Sequence, residues 1–171
     1  MRRFAITGPE SSGKTTLTSA LAEQHHGSWI PEFAREYLTE RNGIYTIDDL
    51  DIIAQKQFDL WKGRMEDLVF CDTDMTVMKV WSEFKYGACS ALINSLFDQQ
   101  QFDHYFLCRP DIAWEEDPLR EHPEQREELF EIYRRELSGR NLPFSIIEGD
   151  LEHRLQDCFP KITVIQNKPQ F

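Results

Sequence analysis

The sequence is short of several things, and each shortage removes a class of protein. No apolar run approaches the ~20 residues that a membrane span needs, so no helical membrane protein is expected. The four cysteines, Cys71, Cys89, Cys108 and Cys158, include no C-x-x-C pair, which leaves neither a metal knuckle nor a disulfide framework to read. Cys71 and Cys108 lie inside apolar, strand-like runs and are expected to be reduced core residues. Basic residues are scarce: 19 Lys and Arg stand against 30 Asp and Glu, a net charge of -11 with a pI near 4.9. A chain so acidic lacks the clustered cations that grip a phosphate backbone, so no nucleic-acid partner is expected. Repeats, linkers and low-complexity segments are missing as well. Residues 1–171 read as one domain, large enough to bury a real core. Met1-Arg2-Arg3-Phe4 enters a strand rather than a leader, which makes the cytoplasm the expected location.

What is present begins at Gly8-Pro9-Glu10-Ser11-Ser12-Gly13-Lys14-Thr15, which satisfies G-x-x-x-x-G-K-(S/T). The apolar run Phe4 to Thr7 precedes it, and Leu17, Ala20 and Leu21 follow at helical spacing, so the order is strand, glycine loop, helix. Gly8 and Gly13 allow the backbone to turn its N–H groups inward around a polyphosphate, and the positive end of the helix adds to the field. In this reading Glu10, Ser11, Ser12 and Thr16 complete the nucleotide cradle. Lys14 brings a cation to the outer phosphates, and the Thr15 hydroxyl is placed to ligate Mg²⁺. Nucleotide binding, with ATP and Mg²⁺ as the expected cofactors, is the firmest reading of the chain.

Further along, His25-His26-Gly27 closes the first helix without a third metal ligand and reads as a solvated helix end. Glu32 and Arg35 follow the second strand, at the sheet edge where open α/β sheets bind ligands; the alternative is a surface ion pair three residues apart. Thr46 and Asp49 form a capping-box start for a long helix, whose apolar stripe runs Leu50, Ile53, Ala54, Phe58, Trp61, Met65 and Leu68. The strand Leu68 to Cys71 delivers Asp72-Thr73-Asp74. A carboxylate in that place can hold Mg²⁺ or its water shell, with Asp72 preferred and Asp74 second, or else the aspartates cap the next helix. The stretch around Trp81 is either a pocket wall or an ordinary helix end capped by Gly87. Past the fourth strand, Trp114 among Glu115, Glu116 and Asp117 suits a cationic aromatic ring, or plugs the core from a solvent-facing loop. From Leu119 to Leu137 the charges read mostly as a solvated helical face, yet Arg120 and Arg126 stand where a lid, about residues 115–137, would cover a transferring phosphoryl group. Phe144 to Ile147 is the fifth strand, and Ile162-Thr163-Val164-Ile165 reads as a further edge strand. Asn167-Lys168-Pro169-Gln170 lacks the aspartate of an N-K-x-D guanine motif, which disfavours a GTPase.

Five apolar strands alternating with helices imply an α/β fold, a parallel sheet covered on both faces. Together, the P-loop through Thr16, the segments Pro31 to Glu36 and Cys71 to Asp74, and Arg109-Pro110-Asp111-Ile112-Ala113-Trp114-Glu115 resemble the ribosylnicotinamide kinase domain of NadR-type proteins. The resemblance implies a P-loop NTPase with sheet order 2-3-1-4-5 and a short helical lid, and phosphorylation of nicotinamide riboside to its mononucleotide. It also implies Asp111 as a substrate contact alongside Glu32, Arg35, Asp72, Trp81 and Trp114, with Trp114 on the nicotinamide side. Glu32 or Asp74 would accept or orient the acceptor hydroxyl, and Arg120 and Arg126 would close over the transferring group. His25-His26-Gly27 is not the H-x-G-H of an adenylyltransferase, so no second activity is expected. The alternatives are a kinase for another nucleoside or metabolite, a regulatory P-loop ATPase, and a nucleotide-gated binding module.

Overall fold

The computed structural model describes residues 1–168, and Pro169 to Phe171, the end of the N-K-x-D comparison, lie outside the described residues. Five parallel strands form one sheet in the order β2-β3-β1-β4-β5: β1 (Arg2–Thr7), β2 (Ser28–Ile30), β3 (Leu68–Asp72), β4 (His104–Cys108) and β5 (Phe144–Ile147). This is the order and the P-loop architecture that the resemblance implies. The helices between them are α1 (Lys14–Gln24), α2 (Phe33–Glu40), α3 (Ile47–Lys62), α4 (Met75–Tyr86), α5 (Ala91–Gln99), α6 (Arg126–Gly139) and α7 (Leu151–Gln166).

The strands are apolar throughout because both of their faces are buried, and the alternation decides which core each side chain joins. Ala5, Val69, Cys71, Tyr105 and Leu107 face the larger core, built with helices α2 to α6. Phe4, Ile6, Phe70, Phe106 and Cys108 face the smaller one, closed by α1 and α7. There Phe4 stacks between Phe70 and Phe106, at ring distances of 5.5 and 5.8 Å, tying the three central strands together. Cys71, Cys108 and Cys158 are buried free thiols, and Cys89 is a half-buried one, as their apolar settings suggest.

The helix starts are set by local capping. Thr46 and Asp49 make the expected capping box of α3, while Asp74, Ser90 and Asp150 accept backbone N–H bonds at the starts of α4, α5 and α7. Two expectations are corrected. Helix α3 stops at Gly63, leaving Met65 exposed and Leu68 to open β3, so the apolar stripe crosses an element boundary. The supposed edge strand Ile162 to Ile165 is helical: Ile162 and Ile165 both enter the smaller core three residues apart, and Val164 between them is exposed. A run of β-branched residues reads as strand only when its burial alternates, and here the docking of α7 overrides that propensity. Pro160 lies inside α7 without ending it.

The sheet order puts β1 at the centre, with β3 and β4 on either side. The carboxyl ends of these strands carry the P-loop, Asp72 and the arm that follows Cys108. The arm runs without regular structure from Arg109 to Gln125 before α6 begins at Arg126, so residues 115–137 divide into an irregular stretch and a helix packed on the core.

Candidate functional site

The P-loop wraps the start of α1. Gly8 has φ 135°, and a Cβ there would fall 2.7 Å from the Cys108 carbonyl oxygen, so β4 presses against the loop closely enough to exclude any side chain. Gly13 has φ 80° and is the N-cap of α1. Ser11 also lies in the left-handed region, at φ 50°. The loop is braced from within: Ser12 Oγ and Lys14 Nζ donate to the Pro9 carbonyl at 2.7 and 2.8 Å. Lys14 is therefore held over the loop, where it lines the cavity.

Asp72 ends β3 beside this loop, 1% exposed. Its carboxylate lies near the Thr15 side chain, which favours the charged form, and its Oδ1 is buried with no partner. Burial and, secondarily, the charge of Glu32 push its pKa up to about 6, against the pull of Thr15, Lys14 and Arg35. An orphaned carboxylate oxygen beside a P-loop hydroxyl is a donor set that suits Mg²⁺, a hard cation that keeps most of its ligands as water and phosphate. The described residues contain no cluster of three or more His, Cys, Asp or Glu, so the phosphates themselves would have to complete the shell.

One cavity joins this polar end to an apolar one. It is lined by Gly8 to Thr16, by Glu32 and Arg35, and by an apolar wall of Leu38, Val77, Val80, Trp81, Phe84 and Tyr133 from α2, α4 and α6. Glu32 is the N-cap residue of α2, but its side chain makes no capping bond, so the carboxylate is free for the cavity. Arg35 sits one turn further on and donates to Asp117 of the arm at 2.8 Å, which raises its already high pKa and fastens the arm across the opening.

The arm is sewn to the P-loop. Glu10 Oε2 accepts the backbone N–H groups of Glu121 and His122, at 2.9 and 3.0 Å. Ser11 Oγ accepts the Glu115 amide at 3.1 Å and Arg120 Nη1 at 3.3 Å, and the Ser11 carbonyl accepts Arg126 Nη1 at 3.1 Å. The side chains of Glu10 and Ser11 thus hold the arm, and any grip on a nucleotide falls to their backbone amides. Arg120 lines the cavity, while Arg126 reaches the loop only through carbonyls, including that of Ile112 at 3.0 Å.

Asp72 and Arg126 stand behind the cavity lining, and three further expected site residues sit elsewhere. Asp74 is fully buried, with Oδ1 accepting from Thr7 Oγ1 at 2.7 Å and Oδ2 capping α4 through Thr76, so it faces away from the cavity and cannot orient an acceptor hydroxyl. Asp111 accepts from Arg154 Nη2 and from the Gly149 amide at 2.6 Å and does not line the cavity. Trp114 packs against the guanidinium groups of Arg120 and Arg126, at 5.8 and 5.6 Å, instead of lining the cavity. Its place is to support the arginines, and the aromatic wall belongs to Trp81 and Phe84.

A residue that sequence reasoning missed is Arg154, on α7 and 2% exposed. Its guanidinium lies behind the P-loop and donates to the carbonyls of Ser12, Arg109 and Gly149, as well as to Asp111. All three nitrogens are used, so one side chain fixes the loop to the end of β4 and to the turn before α7. A lone arginine in a charged terminal helix carries no local signal of this.

Comparison with known proteins agrees with the geometry. Residues 3–154 match the family model described as AAA domain. The chain is 27% identical, over 168 residues, to the trifunctional NAD biosynthesis/regulator protein NadR of Escherichia coli (strain K12), covering 92% of this chain and 41% of that protein. It thus spans less than half the length of that relative. Among solved structures, NadR in complex with NR superposes with a TM-score of 0.82 at 20% identity, over 99% of this chain and 52% of that one. Deoxyadenosine kinase from M. mycoides superposes at 0.68 with 13% identity, over 95% and 99% of the two chains.

Proposed function

The chain belongs to the AAA domain family, and from that premise we propose that it is an ATP-dependent kinase for a small nucleoside, with nicotinamide riboside as the acceptor and its mononucleotide as the product. The observation that carries this is the cavity itself, lined from the P-loop to an aromatic wall, with the uncapped Glu32 carboxylate among its lining. A hydrolase needs only a positioned water at the terminal phosphate, whereas an apolar wall of this extent fits an organic acceptor. The likeness to NadR supports the choice of nicotinamide riboside.

In this mechanism the P-loop amides and Lys14 hold the triphosphate of ATP. Thr15 and the unpartnered oxygen of Asp72 would hold Mg²⁺, which neutralises phosphate charge when bound. Leu38, Val80, Trp81 and Phe84 take the flat base of the acceptor, leaving its ribose hydroxyl toward Glu32. Glu32 accepts the hydroxyl proton as the oxygen bonds the γ-phosphorus and the bond to the leaving oxygen of ADP breaks. Arg120, braced by Ser11 and Trp114, covers the charge on the transferring group. Because the transition state is loose, this placement supplies more of the rate than the base does.

The test is a panel of nucleosides and small metabolites incubated with ATP and Mg²⁺, with ADP as the readout. Nicotinamide riboside should give acceptor-dependent ADP. If another compound does so and nicotinamide riboside does not, the acceptor assignment is wrong.

A further inference from the structure

Tyr45 lies in the loop between α2 and α3, outside the cavity lining, yet its hydroxyl sits at a junction of the site. It accepts a hydrogen bond from Trp81 Nε1 at 2.8 Å and one from Lys85 Nζ at 2.6 Å, and it donates to Glu121 Oε2 at 2.7 Å. A phenol has one proton to give and two lone pairs to receive with, so the hydroxyl is fully used. Lys85 Nζ also reaches Glu121 Oε1 at 2.7 Å, which closes the triangle. The tyrosine ring meets the indole edge to face, at 5.1 Å between centroids, so the contact is packed as well as polar.

The arrangement forms a chain from one side of the cavity to the other. Trp81 belongs to the apolar wall, Glu121 belongs to the arm, and the Glu121 amide is bonded to Glu10 of the P-loop. We propose that the Tyr45 hydroxyl is a positioning group for the acceptor site: it fixes the indole of Trp81 in the wall and clasps the arm to that wall through Glu121. An indole without this bond could turn about its own bonds to the backbone and leave the base-sized slot poorly shaped. An arm without the bond would keep only the Lys85–Glu121 and Arg35–Asp117 ion pairs on the side away from the P-loop. Tyr45 touches neither acceptor nor nucleotide, and it acts through Trp81 and Glu121. The proposal rests on the kinase reading for its effect on turnover, while the clasp is a property of the protein alone.

Tyr45→Phe removes one oxygen and leaves the ring contact and the Lys85–Glu121 pair in place. Backbone hydrogen exchange at Glu121 and His122, without ligand, should quicken about fivefold, the effect of losing one ordinary hydrogen bond, with exchange in the β-strands unchanged. The KM for nicotinamide riboside should rise by about the same factor while the KM for ATP stays put, a split that general destabilisation would not produce. Unchanged exchange at those two amides overturns the proposal, as does a rise of both KM values in step or of neither. Exchange needs no acceptor: if the wild-type protein phosphorylates nothing in the panel, the kinase reading fails on its own and the amides still decide the clasp.

Discussion

The Thr15 side chain stands close enough to the Asp72 carboxylate to favour its charged form, and Oδ1 of Asp72 is left buried without a partner. The pair holds a charge under tension, since burial raises the pKa of the acid toward neutrality while nothing in the protein satisfies its free oxygen. Such a site is costly without a ligand and useful with one.

Asp72→Asn should therefore separate stability from activity. The amide keeps the shape and removes the buried charge, so the ligand-free variant should melt above the wild type at about pH 8. Phosphoryl transfer should fall by about 10²- to 10³-fold, and the extra thermal shift that Mg²⁺ gives in the presence of an ATP analogue should vanish. Differential scanning fluorimetry with and without Mg²⁺ checks both halves, and a variant that kept the Mg²⁺-dependent shift would remove Asp72 from the metal site.

Glu32→Gln keeps the size of this cavity-lining side chain and deletes its ability to take a proton. The expected result is a kcat about 10²-fold lower with the KM for ATP unchanged, at the modest end of general-base effects because the transition state is loose. Steady-state kinetics decide it. An unaltered kcat would leave the acceptor hydroxyl to be oriented by something else.

Arg154→Ala should destabilise the fold by roughly 3 kcal/mol, because it strips partners from three carbonyls and from Asp111 and leaves a cavity behind the P-loop. Chemical denaturation measures this. A change under about 0.5 kcal/mol, the range of an ordinary surface substitution, would contradict the bracing role.

His104 gives the pH dependence. It is 4% exposed, its Nε2 lies 2.9 Å from Ser145 Oγ, and burial, with Lys161 adding to it, pushes its pKa down to about 4 from 6.5. Between those values the unfolded chain binds a proton that the folded chain refuses, so this residue costs stability progressively as pH falls from about 6.5 to about 4. His104→Gln, which can keep the Ser145 bond, should lose roughly 2–3 kcal/mol less than the wild type over that window. Parallel stability curves for the two proteins would show that the imidazole stays neutral in both states or titrates alike in both.

Local pattern carried the parts of this structure that are local. The P-loop is contiguous, and each buried strand is an unbroken apolar run, so sheet class, nucleotide loop and the positions of Glu32 and Asp72 just past strand ends were legible, while the stretch around Trp81 read equally as pocket wall or helix end. What was hidden depends on contacts between distant segments. Nothing near Asp74 in the sequence shows that Thr7 will take its Oδ1, and nothing near Glu10 shows that its carboxylate will hold an arm more than a hundred residues away. Trp114 had the right chemistry for a cationic ring, but the arm turns it onto Arg120 and Arg126. Arg154 and Tyr45 gain their meaning only when α7 and the loop before α3 have docked.

The most direct test is to follow the acceptor itself. Incubated with the protein, ATP and Mg²⁺, nicotinamide riboside should gain the mass of one phosphoryl group in step with ADP, and Lys14→Ala should abolish that gain by removing charge stabilisation in the transition state. ADP and inorganic phosphate formed at the same rate with and without acceptor, and an acceptor of unchanged mass, would contradict the account.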